Sequence, residues 1–229
     1  MTTIIVARYD EDISWLKKYA NFNIIIYNKG KAIQKEKSFR VENLDNIGRE
    51  SHTWLFHIIK NYYNLDKFNI FIQGRIDDLE CMAYKDLNSY YKDLLKNKFS
   101  VSRFGLLGPS HWGHNVGIEK DPKYQIPWEN GEITRSKIGF RLYAKKYFPK
   151  IPIFVSTSYG GCFGVSRDLI LKYDIKFYKS LLNTVSQSSN PIESHYLERL
   201  WCYMFTKNRF LSQSIFDVIK TKIERFIKN

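Results

Sequence analysis

Three short apolar runs, each ending in a polar cluster and separated by segments of helical periodicity, constrain this chain more than any other feature of its sequence. Thr3 to Tyr9 leads into Asp10-Glu11-Asp12, Asn23 to Tyr27 into Asn28-Lys29-Gly30, and Phe68 to Gln73 into Gly74-Arg75-Ile76-Asp77-Asp78-Leu79-Glu80. Uninterrupted apolar runs of this length suit strands buried on both faces. Between the first two, Asp12 is placed to cap a helix carrying Trp15, Leu16 and Tyr19 on one face. Arg49 to Tyr62 sets Trp54, Leu55, Ile58 and Ile59 at helical spacing before the third run. The alternation predicts an α/β fold with a mainly parallel central sheet flanked by helices. Ligands of such sheets gather beyond the carboxyl ends of the strands, so the polar clusters are the places to look for chemistry.

Farther along, Asp86 to Asn97 reads as a surface helix and Phe104 to Trp128 as one long, aromatic-bearing loop region. Ile153 to Ser158 and Cys162 to Ser166 read as strands separated by Tyr159-Gly160-Gly161, with helix from Arg167 onward. Two more helices, near Glu193 to Phe205 and Ser214 to Ile227, give a helical C-terminus. At 229 residues without an obvious linker, the chain is expected to form one domain. Its 44% hydrophobic and 26% charged content excludes disorder driven by charge and low hydrophobicity. Cys81, Cys162 and Cys202 have no zinc-finger spacing and an odd count, which favours a reducing compartment. With no leader-like N-terminus and no long apolar stretch, the expected location is cytoplasmic. The net charge of +13 predicts attraction to phosphates, whether on nucleotides, nucleic acid or an anionic membrane.

The third strand exit carries the most distinctive chemistry. Asp77, Asp78 and Glu80 could supply carboxylate oxygens to Mg2+ or Mn2+, with Arg75 adding charge beside a diphosphate; a turn or helix cap uses the same residues. His195 reads either as a nitrogen ligand to that metal or as a structural histidine. Glu193 and Glu198, five residues apart on one helix, do not share a face and serve different purposes. His111 and His114 flank Trp112 in a glycine-rich loop, which is weak grounds for a metal site. Trp112 and Trp128 suit either a wall for sugar rings or the core. Tyr159-Gly160-Gly161 allows close backbone approach to a ligand, as a tight turn also would.

A first strand ending in Ala7-Arg8-Tyr9, the segment Asn46-x-Gly48-Arg49-Glu50 opening a helix, and a strand leading to acidic residues together resemble the donor half of GT-A glycosyltransferases. ARYDEDISWL, NIGRESHTWLFHI, IFIQG, YGGCFGVSR and LERLW are similar to segments of a little-characterised GT-A-like family of fungi, bacteria and large DNA viruses. The similarity runs from Ile4 to about Phe205. It implies a single Rossmann-like GT-A domain, with a donor half over about 1–100, an acceptor half over about 101–213 and a C-terminal helix over 214–229. The implied activity is transfer of a sugar from a nucleotide-sugar, UDP-sugar favoured, to a glycan or lipid-linked hydroxyl, assisted by Mn2+ or Mg2+. Ala7, Arg8 and Tyr9 would hold the base and ribose, Asn28 would assist, and Arg49 would lie near the phosphates. Gln73 stands where the usual Asp-x-Asp begins, so Asp77, Asp78 and Glu80 would replace that motif. In an inverting enzyme Glu198, then Glu193, is the candidate base for the acceptor hydroxyl; the competing reading pairs either with Arg199 or makes it a cap. His111, Trp112, Trp128, Tyr159 and Gly160 would face the acceptor. Arg49 and Glu50 as a purely structural ion pair is the competing reading.

Two other classes stand beside this one. A nucleic-acid-binding module is favoured by the 36 basic residues and abundant Tyr and Phe, but no recognised binding motif or basic stripe supports it. A metal-dependent nuclease or phosphodiesterase would also cluster carboxylates. The last helix places Ile215, Val218, Ile219, Lys222, Ile223, Phe226 and Ile227 on or near one face, with Lys220, Arg225 and Lys228 elsewhere. That stripe fits closure of the core, which is favoured, or peripheral contact with a membrane.

Overall fold

The apolar runs become strands whose side chains alternate between two buried layers. A computed structural model describes residues 1–33, 38–75, 86–102, 104–113, 115–118, 122–158 and 160–228. In chain order the first half comprises β1 (Thr2–Arg8), β2 (Asn23–Asn28), β3 (Arg40–Asn43), α1 (Arg49–Lys60), β4 (Phe68–Gln73), α2 (Leu87–Asn97), β5 (Phe99–Ser100) and β6 (Phe104–Leu107). The second half comprises α3 (Pro122–Glu129), α4 (Phe140–Tyr147), β7 (Val155–Ser158), β8 (Phe163–Ser166), α5 (Arg167–Ile170), α6 (Ile175–Val185), α7 (Ile192–Thr206) and α8 (Leu211–Lys228).

The main sheet has the order β3-β2-β1-β4-β8-β5, with the first four strands parallel and β8 antiparallel to both its neighbours. Because strand side chains alternate, Ile4, Val6, Ile24, Ile26, Ile70 and Ile72 enter one layer. There they meet Leu16, Tyr19 and, from α2, Leu87, Tyr90 and Leu94. Ile5, Ile25, Tyr27, Phe71 and Phe163 enter the other, against Trp54 and Ile58 of α1 and Trp201 and Phe205 of α7. Both faces are thus covered, the reason these strands read as unbroken apolar runs.

Several local expectations need correction. The segment after Asp12 is a 3-10 helix, Ser14–Tyr19. The Asp12 carboxylate accepts the Ser14 amide at 2.9 Å and its hydroxyl at 2.8 Å, so it turns the chain ahead of the helix. Asp86 does cap α2, accepting the Ser89 amide at 2.8 Å. The region read as one long loop holds β6, a 3-10 turn at Pro109–His111 and α3. β7 does not join the main sheet; it pairs antiparallel with β6 in a two-stranded sheet.

The reading of the last helix as a closure of the core is also corrected. α8 packs on β6 and β7 and buries Ser214. Ile215, Phe216, Ile219 and Ile223 instead remain 44%, 61%, 52% and 54% exposed. Among the described residues no helix is long and apolar enough to cross a membrane.

Candidate functional site

The carboxyl ends of β1, β2 and β4 meet the start of α1, the β7–β8 turn and the first turns of α7. Gln73, the last residue of β4, donates its amide to the Gly160 carbonyl at 2.9 Å. The Gly160 amide donates to Glu198 Oε1 at 2.7 Å, and Arg199 Nη1 lies 2.7 Å from the same oxygen. Glu198 and Arg199 are 5% and 8% exposed, so this ion pair is largely shielded from solvent. The other carboxylate oxygen, Oε2, is 4.0 Å from His195 Nδ1.

Gly161 links the turn to α1. Its φ of +69° lies in the left-handed region, and a Cβ there would stand 3.0 Å from Glu50 Oε1. Its carbonyl accepts the Trp54 indole N–H at 3.1 Å. Only glycine meets both demands without strain. Glu50 Oε2 lies 3.5 Å from Arg49 Nε. Arg49 and His195 both reach Asn190, with Arg49 Nη1 3.4 Å and His195 Nε2 3.3 Å from its Oδ1. Ser51 donates to the Ser194 carbonyl and Ser194 to the Gly48 carbonyl, at 3.1 Å and 2.9 Å, clamping α1 to α7.

Arg49 itself has φ +50°, an unusual value for a side chain with a Cβ. Lys29, just past the exit of β2, fixes this stretch: its ammonium donates to the carbonyls of Ile47 at 2.6 Å and Arg49 at 2.5 Å. Burial pushes the Lys29 pKa down to about 8. Strain of this kind persists only where its surroundings hold it, and it clusters at functional sites.

The electrostatics are those of a cationic cluster built around two carboxylates. Burial, then Arg49, Arg199 and Lys123, hold His195 well below the usual histidine range, so its ring is neutral. The Glu50 carboxylate raises Arg49 above its already high value. Tyr124 packs edge-on against His195, with ring centroids 5.2 Å apart, and its pKa is raised by burial and then by Glu198. Arg49, Arg199 and Lys123 set against Glu50 and Glu198 leave an excess of positive charge, which suits a phosphorylated ligand. Arg49 keeps 29% of its side chain exposed and can reach one.

Among the residues singled out from the sequence, Arg49, Gln73, Gly160, His195 and Glu198 are brought together. Glu193 is turned elsewhere: its charge acts on Tyr143 and Tyr147 of α4. Arg8 is buried and donates to the carbonyls of Tyr9, Glu11 and Lys31 and to Asn28 Oδ1. The Asn28 amide in turn donates to the Gly30 and Lys31 carbonyls, so both residues knit the strand exits instead of projecting into the cluster. The Ala7 carbonyl accepts the Gly74 amide at 2.8 Å, while Tyr9 and Arg75 are exposed.

The proposed acceptor residues are more scattered. His111 Nδ1 accepts the Gly108 amide at 3.1 Å, and Trp112 donates to the Ile153 carbonyl and stacks on Phe140 at 5.1 Å. Trp128 holds the Arg135 guanidinium 4.7 Å from its ring and stands four residues after Tyr124 on α3, hence on the same face. Asp77, Asp78, Glu80 and Tyr159 lie outside the described residues. Among the described residues no group of three His, Cys, Asp or Glu converges as a metal-ligand set. His195 stands among three cationic groups, which disfavour a divalent ion beside it.

Tyr124, Lys123 and Asn190 join the site without having been expected there, whereas Glu50 and Arg199 enter as the ion-pair partners that the sequence reading gave Arg49 and Glu198. Glu50 follows Arg49 and Arg199 follows Glu198, so adjacency is a usable signal for both. Tyr124 and Asn190 arrive from distant segments and have no local signature. Residues 4–216 match the family described as protein of unknown function (DUF3431). No curated protein matches the chain.

Proposed function

The chain belongs to the DUF3431 family, and for it we propose glycosyl transfer from a nucleotide-diphosphate sugar, UDP-sugar favoured, to a hydroxyl acceptor. The observation that carries this reading is the convergence of Arg49, Arg199 and Lys123 with two buried carboxylates at the carboxyl end of a parallel sheet. Nucleotides bind α/β sheets at that edge, and a diphosphate requires compensating charge.

In the proposed step the acceptor oxygen bonds to the anomeric carbon while the bond from that carbon to the diphosphate oxygen breaks. The hydroxyl proton passes to Glu198, whose Oε1 is already held by Gly160 and Arg199 and whose Oε2 is the oxygen left to receive it. The leaving diphosphate takes the electron pair, and Arg49 and Lys123 stabilise its charge. Gln73 and the glycine turn fix the position of Glu198. Tyr124 and Trp128, on one face of α3, offer rings to the acceptor sugar. The described donor set does not fit a divalent metal, and no step is assigned to one.

A thermal-shift panel of UDP, GDP and their sugar conjugates tests the reading, since a ligand of the native state raises the melting temperature. One nucleotide class is expected to stabilise the wild type and to fail with Arg49→Ala. No response to any nucleoside diphosphate would overturn it. Repeating the panel with EDTA reports whether Asp77, Asp78 and Glu80 hold Mn2+ or Mg2+.

A further inference from the structure

The exposed side of α8 is the largest described departure from burial of apolar residues. Ile215, Phe216, Ile219 and Ile223 stand at i, i+1, i+4 and i+8, within about 100° of the helix circumference. All four are exposed, while Ser214 faces the domain. The helix therefore rests on β6 and β7 by a weakly apolar side and turns its strongest apolar stripe outward. Scattered surface apolar residues are ordinary, but a contiguous stripe of this size marks a contact surface.

We propose that this face docks on an anionic lipid bilayer. Lys220 is exposed beside the stripe, and Lys222, Arg225 and Lys228 follow in the same helix, whose acidic residues are Asp217 and Glu224. An apolar stripe with adjoining basic residues matches a helix lying in the interfacial plane, its apolar side among the acyl chains and its cations at the headgroups. Charge decides between occupants. A second copy of the chain would bring another +13 against the first and be repelled, whereas an anionic leaflet attracts the same charge. The surface belongs to α8 and is independent of the glycosyl-transfer reading; it brings the molecule to lipid whatever reaction the candidate site performs.

The experiment is cosedimentation of the full chain with phosphatidylcholine vesicles, with and without phosphatidylserine, over a salt series. The wild type is expected to bind the anionic vesicles, to bind neutral ones far more weakly, and to lose binding as salt rises. Phe216→Ser combined with Ile219→Ser is expected to lower partitioning about tenfold or more at an unchanged melting temperature, because both side chains are already exposed. Failure of the wild type to bind, equal binding by the variant, or a lowered melting temperature would each overturn the proposal. So would self-association of the wild type, lost in the variant, without lipid binding: the face would then belong to a second copy.

Discussion

Glu198 Oε1 accepts the Gly160 amide at 2.7 Å and lies 2.7 Å from Arg199 Nη1, so one buried oxygen joins α7 to the turn between β7 and β8. Glu198→Gln retains an acceptor for Gly160 but leaves the Arg199 charge buried without its counter-charge. Loss of one partner of a buried pair costs about 3 kcal/mol or more, whereas removal of both costs less. Urea unfolding is expected to show Glu198→Gln destabilised by about 3 kcal/mol and the double change with Arg199→Gln recovering part of it. Transfer should be lost in both, which separates the chemical role of Glu198 from its structural one.

Three buried histidines, His52, His57 and His195, make the fold sensitive to acid. Burial lowers His52 and His57 to about 4 and holds His195 well below its ordinary value. A folded pKa below the unfolded value of about 6.5 means that the unfolded chain binds more protons between the two. Stability is therefore full above about 6.5 and falls as pH drops through that window, by up to about 1.4 kcal/mol per pH unit for each histidine. Unfolding free energies at about pH 7, 6 and 5 check this, and His57→Gln should reduce the slope by about a third.

Much of the sheet is legible because its strands are apolar on both faces, and β4 spans the same residues, Phe68–Gln73, that the sequence indicates. β3 reads Arg-Val-Glu-Asn at a sheet edge and β5 has two residues, so neither carries a pattern long enough to recognise. α4 carries Phe140, Tyr143, Ala144 and Tyr147 at helical spacing, and α6 has an Asp174 cap that accepts the Phe177 amide at 2.8 Å. α6 falls in the stretch read as helical from Arg167 onward, whereas α4 is not expected, although its signal stands in the sequence. At the candidate site, Gln73 stands at the strand exit where the sequence directs attention, and Arg49 is singled out through the family resemblance. The resemblance gives Arg8 and Asn28 to the ligand, yet the hydrogen bonds of both run to each other and to the loops around the strand exits, because a polar side chain there can serve those loops as readily as a ligand. Tyr124 and Asn190 are invisible because their meeting with His195 depends on tertiary folding.

Gly161→Ala tests the turn without touching a charge. Its left-handed φ costs an alanine about 1–2 kcal/mol, and the new methyl would stand 3.0 Å from Glu50 Oε1. Chemical denaturation should show a loss of about that size. Because Glu50 must shift and carries Arg49 with it, nucleotide binding should weaken beyond what the loss of stability explains. Unchanged affinity in the folded variant would place the ligand away from this turn.

Under the proposed function, Arg49 is the residue expected to decide phosphate recognition. It is strained at φ +50°, anchored by Asn190 and Glu50, and still partly exposed, the combination expected of a guanidinium held ready for an anion. A charge-assisted hydrogen bond contributes about 1.5–3 kcal/mol, so Arg49→Ala should weaken nucleoside-diphosphate binding by about ten- to a hundredfold. Arg49→Lys keeps the charge but loses the planar fork that meets Asn190, Glu50 and ligand together, and should recover only part of the affinity. Calorimetric titration of both variants with UDP and GDP at fixed ionic strength measures this. The control is melting temperature: Asn190 and Glu50 lose a partner in Arg49→Ala, so affinity must be compared below the onset of unfolding. Binding that is unchanged in the folded variant would show that the positive charge here serves only to join α1 to α7.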